Sequence, residues 1–223
     1  MTDINTIQKS FKDKSLFDQA LTHRSWVNEH PNKRGTNERL EFLGDAILEF
    51  IVSVELYKQF KKKEEGYLTA LRANLVNTTN LAQAAKKLNL GKHLFLSKGE
   101  EETGGRDNPS LLADTMEAVI GAIYLDSGLT KTKEFINKYV LVDIQTIIRK
   151  PLKDSKSRLQ EMVQAKSMSA PNYKIISESG PDHSKKFIVE VIVEGKRLGK
   201  GRGKTKSEAE QKAAEATLRD DSL

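Results

Sequence analysis

Glu38, Glu41 and Asp45 fall at i, i+3 and i+7 in NERLEFLGDAILEF, residues 37–50. On a helix of 3.6 residues per turn, that spacing sets three carboxylates on one face. Leu40, Leu43, Ile47, Phe50, Ile51 and Val54 fall together and read as the core stripe, with the acids on the opposite side. Gly44 lies beside the stripe, where a missing side chain permits a close helix crossing. Like charges so spaced repel by ~0.2–0.5 kcal/mol per pair. This helix alone leaves two readings open, a solvated face or half of a cation site.

SLLADTMEAVIGAIYL, residues 110–125, supplies a matching half. Leu112, Met116, Val119, Ile120 and Ile123 form its buried stripe. Asp114 and Glu117, one turn apart, share the other face beside Ala118 and Gly121, which are too small to block approach. Facing both acidic sets into one cleft is costly without cations, since neighbouring carboxylates raise one another's pKa. All-oxygen donors point to Mg²⁺ or Mn²⁺ rather than zinc. His23, His30, His93 and His183 show no ligand spacing. Carboxylate-held Mg²⁺ serves phosphate chemistry, where it orients and acidifies a water and stabilises the leaving oxygen. Phe42, near the carboxylate edge, either packs under another segment of its own domain, the commoner arrangement, or plugs into a partner.

The elements that must carry these groups are helices. Apolar residues recur at three- and four-residue spacing through 38–59, 67–88, 110–126 and 131–148. Breaks are expected at 32–37, Gly66, Gly91 and the polar stretch 99–110, and no strand alternation appears before residue 150. The character changes near Lys150-Pro151. DSKSRLQEMVQAK reads as a helix capped by Asp154; NYKIISES, KKFIVEVIVEG and KRLGKGRG alternate like strands, with a tight turn at Glu194-Gly195. A last helix begins at Thr205 with Glu208 in a capping box and alanines along one side. The expected organisation is an all-α domain over 1–148, a linker over 149–153, and a small α+β domain of α-β-β-β-α order over 154–223.

Charge divides along the same line. Residues 151–223 carry 15 Lys/Arg against 11 Asp/Glu, a net of +4, whereas 1–150 carry 22 against 20. A basic tail permits a polyanionic partner. Lys185, Lys186, Lys196, Arg197, Lys200, Arg202, Lys204 and Lys206 concentrate around strand ends and a helix start, which suits phosphate contacts. A solvated, aggregation-resistant strand edge is the plainer alternative. With only Tyr173 and Phe187 as aromatics there, stacking platforms for single strands are absent, which favours recognition of duplex shape. The absence of cysteine excludes disulfides and thiolate metal sites and fits a reducing cytoplasm. The N-terminal residues lack an apolar secretory core, and the longest apolar runs are too short to span a membrane.

NERLEFLGDAIL and SLLADTMEAVIGAIYLDSG resemble the two acidic motifs of the ribonuclease III family. ALTHRSW (20–26) and KEEGYLTALRANLV (63–76) also match its pattern. SRLQE, GPDHSKKF and GKGRGKTKSEAEQKAAEATL follow the order of a double-stranded-RNA-binding domain. The resemblance spans essentially the whole chain. It implies the ribonuclease III endonuclease fold and a Mg²⁺-dependent endoribonuclease cutting double-stranded RNA to 5′-phosphate and 3′-hydroxyl ends with short 3′ overhangs. Processing of ribosomal and other RNA is the family expectation. By the same resemblance Glu41, Asp45, Asp114 and Glu117 are the metal-binding catalytic set, with Glu38 and Glu65 accessory. The family acts as a homodimer, in which Phe42 matches the aromatic inserted into the partner. Ser157, Gln160 and Glu161 would face one minor groove, and Gly180, Pro181, Asp182 and His183 a second. Lys204 and Lys206 would straddle the phosphates between them. Ser207 stands where a second lysine is common in such domains, and Glu210 where many of them outside this enzyme family have lysine, which implies fewer phosphate contacts. No organic cofactor and no membrane partner are expected. The competing function is a non-catalytic scaffold that binds double-stranded RNA.

Overall fold

Side chains that cap helix ends mark where most helices of the first part begin. A computed structural model of the chain describes residues 4–142, 154–181 and 184–220. The chain divides into two compact units, 1–150 and 151–223; the linker expected at 149–153 lies outside the described residues. The first unit holds α1 (Ile4–Ser10), α2 (Lys14–Ala20), α3 (Arg24–Glu29), α4 (Glu38–Gln59), α5 (Glu65–Leu75), α6 (Thr78–Lys87), α7 (Lys98–Glu102) and α8 (Pro109–Tyr139). Asp13, Asn77, Ser97 and Asn108 each accept a backbone N–H of the following first turn, and Pro109 opens α8 where its missing donor costs nothing.

Four details depart from the periodicity. The stretch 67–88 is two helices, because Asn77 ends one and caps the next. Gly66 lies inside α5 and is no break, since Glu64 supplies the extended residue before it. The polar stretch 99–110 contains most of α7 and a 3₁₀ turn at Gly105–Asp107. Gly128 takes φ of +77° and kinks α8 into two helical halves; the expected helix beyond 142 lies outside the described residues.

α4 packs chiefly on α8, and their crossing is the centre of the core. Leu40, Ile47, Leu48, Ile51 and Val52 meet a face that includes Met116, Val119 and Ile120, all buried. Phe50, expected in the stripe, is 56% exposed, while Leu48 and Val52 are fully buried. The buried stripe is thus rotated from the expected one. Leu48 and Val52 stand seven residues beyond Glu41 and Asp45 and so on the same face. The acids therefore do not oppose the core; they continue its α8-facing side toward the helix start.

The second unit runs α9 (Ser155–Ala165), β1 (Asn172–Ser179), β2 (Lys186–Val193), β3 (Lys196–Gly203) and α10 (Lys206–Arg219). Its sheet is antiparallel in the order β1-β2-β3. Glu194 and Gly195 both take positive φ, the requirement of a two-residue hairpin turn matching strand twist. Phe187, Val189, Val191 and Val193 alternate inward against Leu159, Val163 and the alanines 209, 213 and 214 of α10. Asp154 caps α9; Thr205 caps α10, while the Glu208 carboxylate reaches back to the Lys204 N–H. No described helix is long and apolar enough to cross a membrane.

Candidate functional site

The crossing of α4 and α8 is close enough for backbone to touch backbone. A Cβ on Gly44 would lie 1.8 Å from the Glu117 carbonyl oxygen, and one on Gly121 2.3 Å from that of Leu40. This contact carries Glu41 of α4 against Asp114 and Glu117 of α8, where one oxygen from each falls within 4.8 Å of the others. Asp45 is outside that group of three but is the foremost charged neighbour acting on Glu117.

The electrostatics follow from burial and crowding. Glu117 is pushed up to about 8, first by burial and then by Asp45, Asp114 and Glu41. Burial also raises Glu41, reinforced by Asp114, Glu38 and Asp45. Asp45 rises through burial and Glu49; Asp114 rises through burial, against an opposing pull from His23. None of the four pairs with a lysine or arginine among the described residues. Crowded carboxylates with no lysine or arginine partner among the described residues, offering only hard oxygen donors, fit a divalent cation of the Mg²⁺ or Mn²⁺ type.

A cleft of about 460 Å³ opens beside the cluster, lined by His23, Arg24, Asn37, Glu38, Glu41, Leu111 and Asp114. Glu38 sits on its rim, accepting from Thr36 Oγ1 at 3.0 Å with Arg24 at 3.9 Å. The acidic pattern did not single out His23 or Asn37 as site residues; the one signal for His23 was its place in ALTHRSW. Glu65 is not brought to the cluster within one chain. Its carboxylate accepts from Thr69 and lines a separate cavity of about 700 Å³ with Tyr57, Leu68 and Arg72. Phe42 is 81% exposed, so none of the described residues of its own domain covers it, as the commoner arrangement would have.

In the second unit, Leu159 and Val163 turn into the core, which leaves Gln160 and Glu161 on the outer face of α9 and Ser157 part-exposed, its hydroxyl on Asp154. Gly180, with φ of +98°, and Pro181 begin the β1–β2 turn; Asp182 and His183 lie outside the described residues. Lys204 and Lys206 are exposed at the start of α10. Glu210 has an occupation that sequence reasoning missed. Its carboxylate holds Lys156 of α9, and beside it Gln211 donates to Asp154 at 2.7 Å, the main reason Asp154 falls to about 2. Glu210 thus fastens the two helices together.

Comparison with known proteins covers both units. Residues 13–144 match the model of the Ribonuclease-III-like family, and residues 155–220 match the double-stranded RNA binding motif. Ribonuclease 3 of Oceanobacillus iheyensis is 47% identical over 210 residues, 94% of this chain and 92% of that protein. Ribonuclease 3 of Streptococcus pneumoniae is 43% identical over 96% of this chain and 95% of its own length. A solved nuclease domain of ribonuclease III from Campylobacter jejuni superposes with a TM-score of 0.57 at 43% identity, covering 62% of this chain and 96% of that one.

Proposed function

The chain belongs to the ribonuclease III family of metal-dependent, double-strand-specific endoribonucleases, and from that premise we propose that Glu41, Asp45, Asp114 and Glu117 hold Mg²⁺ at its cleavage site. The observation that carries this reading is the convergence of three carboxylates within 4.8 Å, with no lysine or arginine paired to them among the described residues. Glu41, Asp114 and Glu117 offer one oxygen each, and Asp45 adds charge from the next turn of α4. When bound, the ion acidifies an attacking water and neutralises charge on the scissile phosphate and leaving oxygen. Burial and the neighbouring acids push Glu117 up to about 8, a cost that a bound divalent cation would relieve. Glu38, on the rim of the same cleft, orients the approach of the strand; Glu65, remote in one chain, acts across a subunit boundary.

Cleavage leaves 5′-phosphate and 3′-hydroxyl ends with short 3′ overhangs, in ribosomal and other RNA precursors of the cytoplasm. The second unit binds the duplex. Ser157, Gln160 and Glu161 meet one minor groove, the loop Gly180, Pro181, Asp182 and His183 meets the next, and Lys204 and Lys206 take the phosphates between. Pairing of Glu210 with Lys156 supports this mode, since it couples the groove-reading helix to the helix that starts at the phosphate lysines.

The deciding experiment offers a perfect RNA duplex and a single strand to the protein in Mg²⁺, Mn²⁺, Ca²⁺ or EDTA. Fragments with 5′-phosphates are expected from the duplex alone, and only in Mg²⁺ or Mn²⁺. Duplex binding with no cleavage in any metal would return the scaffold reading.

Two copies make the enzyme in this reading. Phe42, exposed on α4, seats in the partner, and the cavity lined by Tyr57, Leu68 and Arg72 is apolar enough to receive it. In a two-fold interface each substitution counts twice. Losing an aromatic anchor worth about 2 kcal/mol per site then weakens the dimer by about 10³-fold for Phe42→Ala. Sedimentation at micromolar concentration should show monomer for the variant; an unchanged dimer would remove Phe42 from the interface.

A further inference from the structure

His23 lines the acidic cleft, yet neither cation holding nor duplex capture uses it. Its position is fixed from both directions along the chain. Its N–H donates to the Phe95 carbonyl at 3.1 Å, and the carbonyl of Thr22 accepts from Asn37 at 2.9 Å, directly ahead of α4 with its acids. The side chain is fixed as well. Nδ1 accepts the Ser25 N–H at 3.3 Å and lies 2.8 Å from Ser25 Oγ. That hydroxyl also accepts the Ser97 N–H at 3.0 Å, which ties the ring to the segment that begins α7. With Nδ1 turned to the Ser25 N–H, Nε2 is the ring nitrogen left to donate outward. No described protein group bonds to Nε2.

A structural role alone does not account for an imidazole here. The Nδ1 contact caps α3, but asparagine, aspartate and serine perform that task better than histidine. What imidazole adds is reach: a second polar atom on the far edge of the ring, in a residue that lines the cleft together with Arg24, Glu38, Glu41 and Asp114. A phosphate entering among carboxylates gains from any oriented donor, and one fixed in advance costs no reorganisation.

Building on the nuclease reading, we infer that His23 is a catalytic residue, donating a hydrogen bond from Nε2 to a non-bridging oxygen of the scissile phosphate. The test separates this from capping. His23→Asn keeps an acceptor where Nδ1 stands but puts nothing where Nε2 reaches; His23→Ala removes both. Single-turnover cleavage of an RNA duplex in saturating Mg²⁺ is measured beside duplex binding in Ca²⁺ and thermal melting. The expected result for His23→Asn is wild-type melting and binding with cleavage slowed about 10²-fold, the loss seen when one fixed donor to a developing oxyanion is removed. Cleavage at the wild-type rate would overturn the inference. So would a rate restored by excess Mg²⁺, which would make His23 a support of the cation site, or a melting temperature that falls along with the rate. If the wild-type protein itself fails to cut, the nuclease reading fails instead, and the two failures are distinct.

Discussion

Replacing Glu117 with glutamine is expected to abolish cleavage while making the metal-free protein more stable. The first effect follows from losing a carboxylate on the cation. Several kcal/mol of charge stabilisation leave the transition state, a loss of at least about 10³-fold in rate. The second follows from the direction of the Glu117 shift. Its folded value of about 8 lies above its ordinary 4.5, so the folded protein retains a proton that the unfolded chain has released. That contribution is absent below the ordinary value. It grows unfavourably as pH rises through the window and is constant above about 8. After allowance for solvent screening, it amounts to about 1–2 kcal/mol, or a few degrees of melting temperature for a unit of this size. Glutamine carries no such cost. In EDTA the variant should therefore melt above wild type by a margin that widens from pH 5 to pH 8. In Mg²⁺ the order should narrow or reverse, since only wild type gains full binding stabilisation. Parallel melting curves across pH, or cleavage retained in Glu117→Gln, would each remove this residue from the cation site.

The second large effect is expected at a residue with no side chain. In Gly44→Ala the new methyl carbon would sit 1.8 Å from the Glu117 carbonyl oxygen and 2.6 Å from its carbon. Backbone cannot yield as the tip of a long side chain can, so α4 and α8 must separate. Overpacking against backbone at the centre of the core should cost about 3 kcal/mol or more, which is roughly 6–12 °C of melting temperature. Cleavage should fall further than stability does, because the displaced carbonyl belongs to Glu117 itself. Melting followed by cleavage assays well below the melting point separates the two losses. An alanine variant that melts with wild type would mean that the helices do not touch here.

Much of this site is legible in the order of residues along the chain. Spacing alone puts Asp114 and Glu117 on one helix face and assigns Leu112, Met116, Val119, Ile120 and Ile123 to the core, where all are buried. Gly44 and Gly121 suggest a close crossing because small residues beside an apolar stripe permit one. What fails is rotation. A helix wheel gives the order of residues around an axis but not the bearing of the neighbouring helix. It therefore turns Phe50 inward, leaves Leu48 out of the stripe, and sets the acids opposite a core that they in fact border. Glu210 is misjudged for a related reason. Its residue type is readable, but its pairing with Lys156, 54 residues away along the chain, is a fact of tertiary packing. His23 escapes because one histidine has no period, and its meaning comes from Ser25, Ser97 and the turn of backbone that aims it.

The unpaired carboxylates of the cleft also decide which visitor arrives first. A phosphate backbone is repelled by bare acids, whereas the basic second unit attracts it without any ion. In the proposed function, capture and cutting therefore answer to different quantities in the surroundings: capture to overall salt, cutting to the free divalent ion in addition. Where that ion runs short, the same molecule is expected to grip duplexes without cutting them, and a rise in ion concentration to release the stored cleavage.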